Sequence, residues 1–254
     1  MSTSNPITRP PKARLFVEEA LAANACLVLD GGQASYLVNV MRLRPGDALL
    51  LFNGRDGEWQ GRVERAARQS CRVDIALQVR RQRAEPGPWL AFAPIKKTGV
   101  DFIAEKATEL GASRLWPVFT RNTAAARVNL ERLRAHAVEA AEQCERLTVP
   151  DVESPLQLDA LADCWPPERP LLVLDARGDG APLAKALVEI GRSSPPPGIL
   201  VGPEGGLTAS EMQALDRLPF VARVTLGPRI LRAETAALAA LACWQGLAGD
   251  WAGC

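Results

Sequence analysis

One histidine, one tyrosine and three methionines are all that 254 residues contain of these types. A lone His136 leaves no room for a His-rich zinc or non-haem iron centre, and it makes a Ser-His or Cys-His nucleophile system a poor expectation. The six cysteines (26, 71, 144, 164, 243 and 254) stand far apart and form no C-x-x-C pair. They read as reduced thiols of a cytoplasmic protein, with neither a disulfide framework nor a metal site. No apolar run is long enough for a membrane span. The richest stretch, "TAALAALACWQGLAG", is mostly alanine and is interrupted by Gln245 and Gly246. The opening "MSTSNPITRPPKAR" has no apolar h-region, so no secretory leader is expected. Both nucleotide fingerprints, G-x-G-x-x-G and G-x-x-x-x-G-K-[ST], are missing as well.

What is present is a soluble, globular composition, 47% hydrophobic and 23% charged, with a net charge of +1 that is unevenly spread. Residues 1–90 hold 13 Lys+Arg against 9 Asp+Glu, while residues 91–254 hold 17 against 20. A basic front half suits contact with a polyanion. That half also carries short apolar or alternating runs, "CLVLDGGQ", "DALLLFNGRDGEWQGRVE" and "SCRVDIALQVR", in which Asn53-Gly54 and Asp56-Gly57 predict hairpins. Residues 12–83 therefore read as a small β-barrel or sandwich with one short helix near "SYLVNVMRL". The charged, Pro/Gly-bearing stretch 80–89 reads as the boundary.

Beyond it, strands alternate with helices, the pattern of an α/β domain with a mostly parallel sheet covered on both faces. "WLAFAPI", "RLWPVF", "PLLVLD", "GILVG" and "ARVTLG" are the predicted strands. "GVDFIAEKATEL" is predicted helical, with Val100, Ile103, Ala107 and Leu110 on one stripe and Gly111 at its end. "NLERLRAHAVEAAEQCERL" is a longer predicted helix capped by Asn129. Thr208 and Glu211 have the spacing of a capping box.

Two strand ends share a design, Leu200-Val201-Gly202-Pro203-Glu204 and Thr225-Leu226-Gly227-Pro228-Arg229. Each leaves the sheet through Gly-Pro and reaches a helix within a few residues. Ligands of open α/β sheets bind beyond the carboxyl ends of strands. Glu204 would repel a phosphate where a helix N-terminus attracts one, so the loops suit a neutral base or a cationic group. Arg232 and Glu234, at the start of the alanine-rich helix that follows, are either a salt bridge or part of the site. His136 is read as a surface or satisfied core residue.

"LVGPEGGLTASE" together with "LGPRILRAETA" resembles the C-terminal signature of the RsmE-type 16S ribosomal RNA uridine-N3 methyltransferases, of the trefoil-knotted SPOUT class. "ARLFV", "YLVNVMRLRPGD", "FNGRDGEW", "EKATELGASRLWPVFT" and "EAAEQCER" are similar pieces in the same order, so the resemblance spans nearly the whole chain. It implies a PUA-like RNA-binding barrel over residues 1–83 and a SPOUT methyltransferase domain with a C-terminal knot over 84–254. It further implies S-adenosylmethionine as cofactor, 16S RNA of the small ribosomal subunit as partner, a homodimer, and a cytoplasmic setting with no membrane or metal.

The cofactor contacts implied are Leu174, Val201, Gly202, Pro203, Glu204, Gly205, Leu226, Gly227, Ile230, Leu231, Arg232, Glu234 and Thr235. Arg232 is the first choice to steady the imide anion of uridine, and Glu204 either takes its proton or braces the knot. Arg14, Asn39, Arg42, Arg44, Lys96, Lys97, Arg121 and Arg146 are the implied RNA contacts, although Glu142 and Arg146 also have the spacing of an ordinary helical surface pair. The chain departs from the family at Ser35 or Tyr36, where members often carry a histidine, and at Asn122 or Thr123, where they often carry a serine. A knotted RNA-binding module without catalysis, or methylation of a different RNA, are the alternatives. A phosphotransferase is disfavoured by the missing phosphate loop.

Overall fold

The computed structural model describes residues 10–95, 97–176, 179–191 and 195–253. The opening through residue 9, in which no secretory leader is expected, lies outside them, as do Lys96, Cys254 and the side chain of Lys97. The chain divides into two compact units, one comprising the residues up to Ala84 together with Glu142–Thr148, the other the remainder.

The first unit is a five-stranded sheet of order β1-β3-β4-β5-β2, with β1 Arg14–Phe16, β2 Cys26–Asp30, β3 Ala48–Phe52, β4 Glu58–Ala67 and β5 Ser70–Arg80. β1 runs parallel to β3 and the other pairs are antiparallel. Period-two patterning sends Leu27 and Leu29 of β2, and Cys71, Val73 and Ile75 of β5, into one core with Leu49, Leu51 and Val63. Asn53-Gly54 and Asp56-Gly57 close a single hairpin loop between β3 and β4. There Asn53 Oδ1 accepts from the amides of Arg55 and Asp56, at 3.0 and 2.8 Å. The second hairpin turns at Arg68-Gln69, where no glycine signals it. The expected short helix is α1, Gly31–Ser35, continued by a wider π-type turn over Tyr36–Val40.

In the second unit every strand pair is parallel among the described residues, in the order β11-β13-β10-β12-β6-β7-β8, with β9 beside β7. The strands are β6 Trp89–Phe92, β7 Arg114–Phe119, β8 Asp151–Val152, β9 Leu156–Gln157, β10 Leu171–Leu174, β11 Ala181–Pro182, β12 Gly198–Val201 and β13 Val221–Thr225. The helices are α2 Lys97–Glu109, α3 Leu130–Gln143, α4 Leu161–Cys164, α5 Leu183–Ile190, α6 Ala209–Asp216 and α7 Ala233–Leu247.

Alternation along the strands feeds two cores. Leu90, Phe92, Leu115, Leu172, Ile199 and Val201 pack with α2, α3, α5 and α7. Ala91, Trp116, Val118, Leu171, Val173 and Leu200 pack with α4 and α6 on the opposite face. Both faces are thus covered, as a parallel sheet requires. α3 stops at Gln143, short of the predicted end, and Glu145 has a left-handed φ of 62°. No helix among the described residues is long and apolar enough to cross a membrane, and the five described cysteines are all free.

Candidate functional site

Parallel strands present all their carboxyl ends at one edge of the sheet, and the two Gly-Pro exits meet there. Residues 174–176 after β10, 201–207 after β12 and 225–231 after β13 line one cavity of about 650 Å³, joined by Met212 of α6 and Ala233 and Ala236 of α7. The chain can make these turns because Gly206 and Gly227 adopt left-handed φ values of 71° and 101°. Gly206 N–H donates to the Pro203 carbonyl at 2.8 Å, closing the first loop on itself.

The first loop is then anchored from two sides. Thr208 caps α6 as predicted: its hydroxyl accepts from Glu211 N–H at 3.3 Å, and the Glu211 carboxylate accepts from Thr208 N–H at 2.7 Å. The other Glu211 oxygen accepts from the amide of Arg121 at 2.8 Å. Burial pushes the Glu211 carboxyl up, but these backbone donors and the Thr208 hydroxyl outweigh it and hold it below the usual carboxylate range. Asn122, the next residue, donates its side-chain amide to the carbonyls of Gly205 and Gly206, at 3.2 and 2.9 Å.

Of the predicted cofactor contacts, Leu174, Val201, Gly202, Pro203, Glu204, Gly205, Leu226, Gly227, Ile230 and Leu231 line the cavity, whereas Arg232, Glu234 and Thr235 do not. Arg232 is the N-cap of α7, exposed, and its carbonyl accepts from Ala236 N–H at 2.8 Å. It makes no ion pair with Glu234, so the salt-bridge alternative for these two falls away, and its neighbours Leu231 and Ala233 line the cavity. Glu204 is exposed at the loop tip and pairs with no cation among the described residues.

Sequence reading missed Asp175. This buried carboxylate is 8% exposed, lines the cavity and sits 3.8 Å from the Arg223 guanidinium. Its place as the last residue of "PLLVLD", at a strand's carboxyl end, was the available signal. It also missed Asn122, whose role depends on a partner 83 residues away.

The predicted RNA contacts separate. Asn39, Arg42, Arg44 and Arg121 are exposed, and Lys97 opens α2. Asn39 donates to the Ser35 hydroxyl at 3.0 Å, and Arg42 holds a left-handed φ of 56°. Arg146, half-buried, donates to the Thr148 hydroxyl at 2.9 Å.

Arg14 departs from the expectation. Its side chain is 8% exposed, and its guanidinium donates to Glu58 at 2.6 Å and to the Arg146 carbonyl at 2.6 Å while lying 3.7 Å over the Phe52 ring. Burial lowers its pKa despite the Glu58 partner. This is the geometry of a brace within the first unit, with the donors turned inward.

His136 is partly exposed and has a partner, its Nε2 lying 3.4 Å from Asp101 Oδ1. Cys26, Glu64 and Asp74 place ligand atoms within 4.8 Å of one another on exposed β-strand positions, and Glu64 is paired with Arg72.

The cavity therefore offers apolar walls for a flat uncharged base, two carboxylates, the Arg229 side chain and exposed backbone groups. Residues 85–245 match the family model described as RNA methyltransferase domain, and residues 29–76 match that described as RNA methyltransferase PUA domain. The Ribosomal RNA small subunit methyltransferase E of Rickettsia conorii is 31% identical over 90% of this chain and 93% of its own. That of Synechocystis is 33% identical over 90% of this chain and 76% of its own. The crystal structure of a Ribosomal RNA small subunit methyltransferase E from Neisseria gonorrhoeae bound to S-adenosyl methionine superposes with a TM-score of 0.83. It is 28% identical and covers 92% of this chain and 96% of that one.

Proposed function

The chain belongs to the RNA methyltransferase family, and from that premise we propose that it methylates N3 of a uridine in the 16S RNA of the small ribosomal subunit with S-adenosylmethionine. It is an rRNA methyltransferase of the SPOUT class with a PUA domain ahead of the catalytic one. The observation that carries the reading is the three-loop cavity, whose apolar walls, two carboxylates and Arg229 fit this cofactor. Apolar walls at Leu174, Val201, Leu226 and Leu231 suit adenine, while Asp175 and Glu204 suit hydroxyls and positive charge.

S-adenosylmethionine, when bound, supplies an electrophilic methyl group on a sulfonium. The residues of this chain do the rest. The loops at 202–206 and 226–231 hold and orient the cofactor, which converts an encounter into a positioned reaction. Uridine N3 is a weakly acidic imide nitrogen and must lose its proton to become a nucleophile. Arg232, at the α7 N-terminus and without an ion pair among the described residues, is assigned to steady the negative charge that spreads onto the uracil carbonyls. Glu204 pairs with no cation among the described residues, so it is available for the imide proton or for the cationic end of the cofactor.

Asn39, Arg42, Arg44, Lys97 and Arg121 are the proposed RNA contacts, fixing register through phosphates while the target base is unstacked. The working unit is proposed to be a cytoplasmic homodimer acting on the assembled subunit, its C-terminal loops threaded as a trefoil knot.

Nucleoside mapping by mass spectrometry of 16S RNA from a deletion strain tests the assignment. One 3-methyluridine disappears if it is correct, and retention of every one defeats it. Calorimetry with S-adenosylmethionine tests the cavity, and absence of binding at tens of micromolar would remove the cofactor from the reading.

A further inference from the structure

A second cavity, of about 840 Å³, opens beyond the carboxyl ends of β6 and β7, on the same sheet edge as the cofactor cavity. Its floor is apolar: Ile95, Val100 and Val128, with the alanine run 124–126. Its polar side is Asp101, Arg132, Asn129 and Arg127. Asp101 is neutralised in place, since Arg132 Nε donates to its Oδ1 at 2.7 Å in a two-pronged pair and His136 Nε2 lies 3.4 Å from the same oxygen. Arg127 is different. It is exposed and forms no hydrogen bond or ion pair among the described residues, so the cavity keeps one unspent guanidinium at its rim.

The two cavities open from neighbouring strands. β6 and β12 are neighbours, and Ala93 N–H donates to the Val201 carbonyl at 2.9 Å, with Val201 lining one cavity and Ile95 the other. The Asn122 side chain holds Gly205 and Gly206 of the cofactor loop, and Ala124, two residues on, lines the second cavity. The stretch from Asn122 to Ala124 therefore connects the loop of one cavity to the lining of the other.

An apolar floor, an unspent cation at the rim, and a volume in the range of small-ligand sites describe a seat for a base with its phosphate attached. Unpaired RNA offers such a unit; an A-form helix does not, because its bases are stacked and its major groove is closed to side chains. We propose that this second cavity receives an unpaired nucleotide of the RNA strand that carries the acceptor uridine, with the base on the Ile95–Val100–Val128 floor and the phosphate at Arg127. The inference rests on the rRNA methyltransferase reading and assigns that reaction's polymeric substrate to residues no sequence motif marked.

The test uses the full protein and small subunits purified from a strain lacking it, with labelled methyl donor. Ala125→Trp fills the cavity, and Arg127→Glu reverses the rim charge without touching the interior. Each variant is expected to bind S-adenosylmethionine within about twofold of wild type and to raise the KM for subunits about tenfold or more. Arg127→Ala is expected to flatten the dependence of log KM on log salt by about one, the signature of one lost phosphate contact.

Unchanged KM in Arg127→Glu overturns the proposal. So does loss of cofactor binding in both variants, which would make the cavity part of the cofactor site. A change of sedimentation coefficient in Arg127→Glu overturns it too, by showing that a second copy of the chain covers the cavity. A wild-type protein that binds S-adenosylmethionine and labels no subunit defeats the function itself. A wild type that labels them, with variants that match it, defeats only this cavity's assignment.

Discussion

Asn122→Ala is the sharpest perturbation of the cofactor loop, because it leaves the loop's own residues intact. The wild-type amide donates to two carbonyls, Gly205 and Gly206. Within the loop, the 2.8 Å bond from Gly206 N–H to Pro203 also opposes its opening. Both carbonyls reach solvent, so water replaces the lost donor and each bond forfeits its net value of about 0.5–1.5 kcal/mol. If the loop must regain its shape to bind, about 1–2 kcal/mol passes into affinity, a roughly 5- to 30-fold rise in Kd for S-adenosylmethionine.

Asn122→Asp goes further, since it sets a carboxylate against two carbonyl oxygens. Its Kd is expected to exceed that of the alanine variant. Calorimetry measures both, and thermal unfolding serves as the control: Asn122 is exposed, and the Thr120–Thr123 hydrogen bonds beneath it survive the change. An alanine variant within twofold of wild type, or an aspartate variant no worse than alanine, refutes the bracing argument.

Arg232→Ala is expected to lower kcat for subunit methylation by about 100-fold with little change in cofactor Kd, as removal of one charge stabiliser does; equal loss in both would make it a cofactor ligand instead. Glu58→Ala strands Arg14 beside a missing partner at a site where Glu58 is 3% exposed. It should cost about 3–5 kcal/mol in denaturant unfolding of the first unit. Thr208→Ala removes the α6 cap and should cost about 1 kcal/mol, read as a fall in the unfolding midpoint.

Acid should unfold the first unit early. Burial raises the Glu58 carboxyl, but hydrogen bonds from Arg80 and Arg14 outweigh it, and the Leu21 amide and Asn53 lower Asp56. Both folded pKa values lie below the unfolded ones. Their stabilisation is therefore complete above the unfolded pKa, near 4 to 4.5, and disappears as pH falls through the folded values. A pH titration of the unfolding midpoint checks the direction, and a midpoint flat below pH 4.5 contradicts it.

Which features could be read from the chain alone follows from how far apart the interacting residues lie. The capping box joins Thr208 to Glu211, three residues on, and both its bonds were foreseeable. Strand alternation is equally local, so Leu90 and Phe92 could be assigned to one core and Ala91 to the other face. The two Gly-Pro exits were informative because a parallel sheet obliges every strand to end at the same edge.

Arg14 failed the same kind of reading: its partners Glu58 and Arg146 lie 44 and 132 residues away, and nothing in "ARLFV" separates a buried brace from a phosphate contact. Glu142–Thr148 clusters with the first unit from the middle of the second unit's sequence, a placement with no compositional trace. Asn122 and Arg127 stand at opposite ends of a bland stretch, "NTAAAR". Only the sheet edge gives them meaning, one as a tie to a loop 83 residues on and the other as the unspent charge of a cavity. Alanine at 124–126 is what leaves that cavity open, so the residues that look least functional are the ones whose enlargement the RNA should feel first.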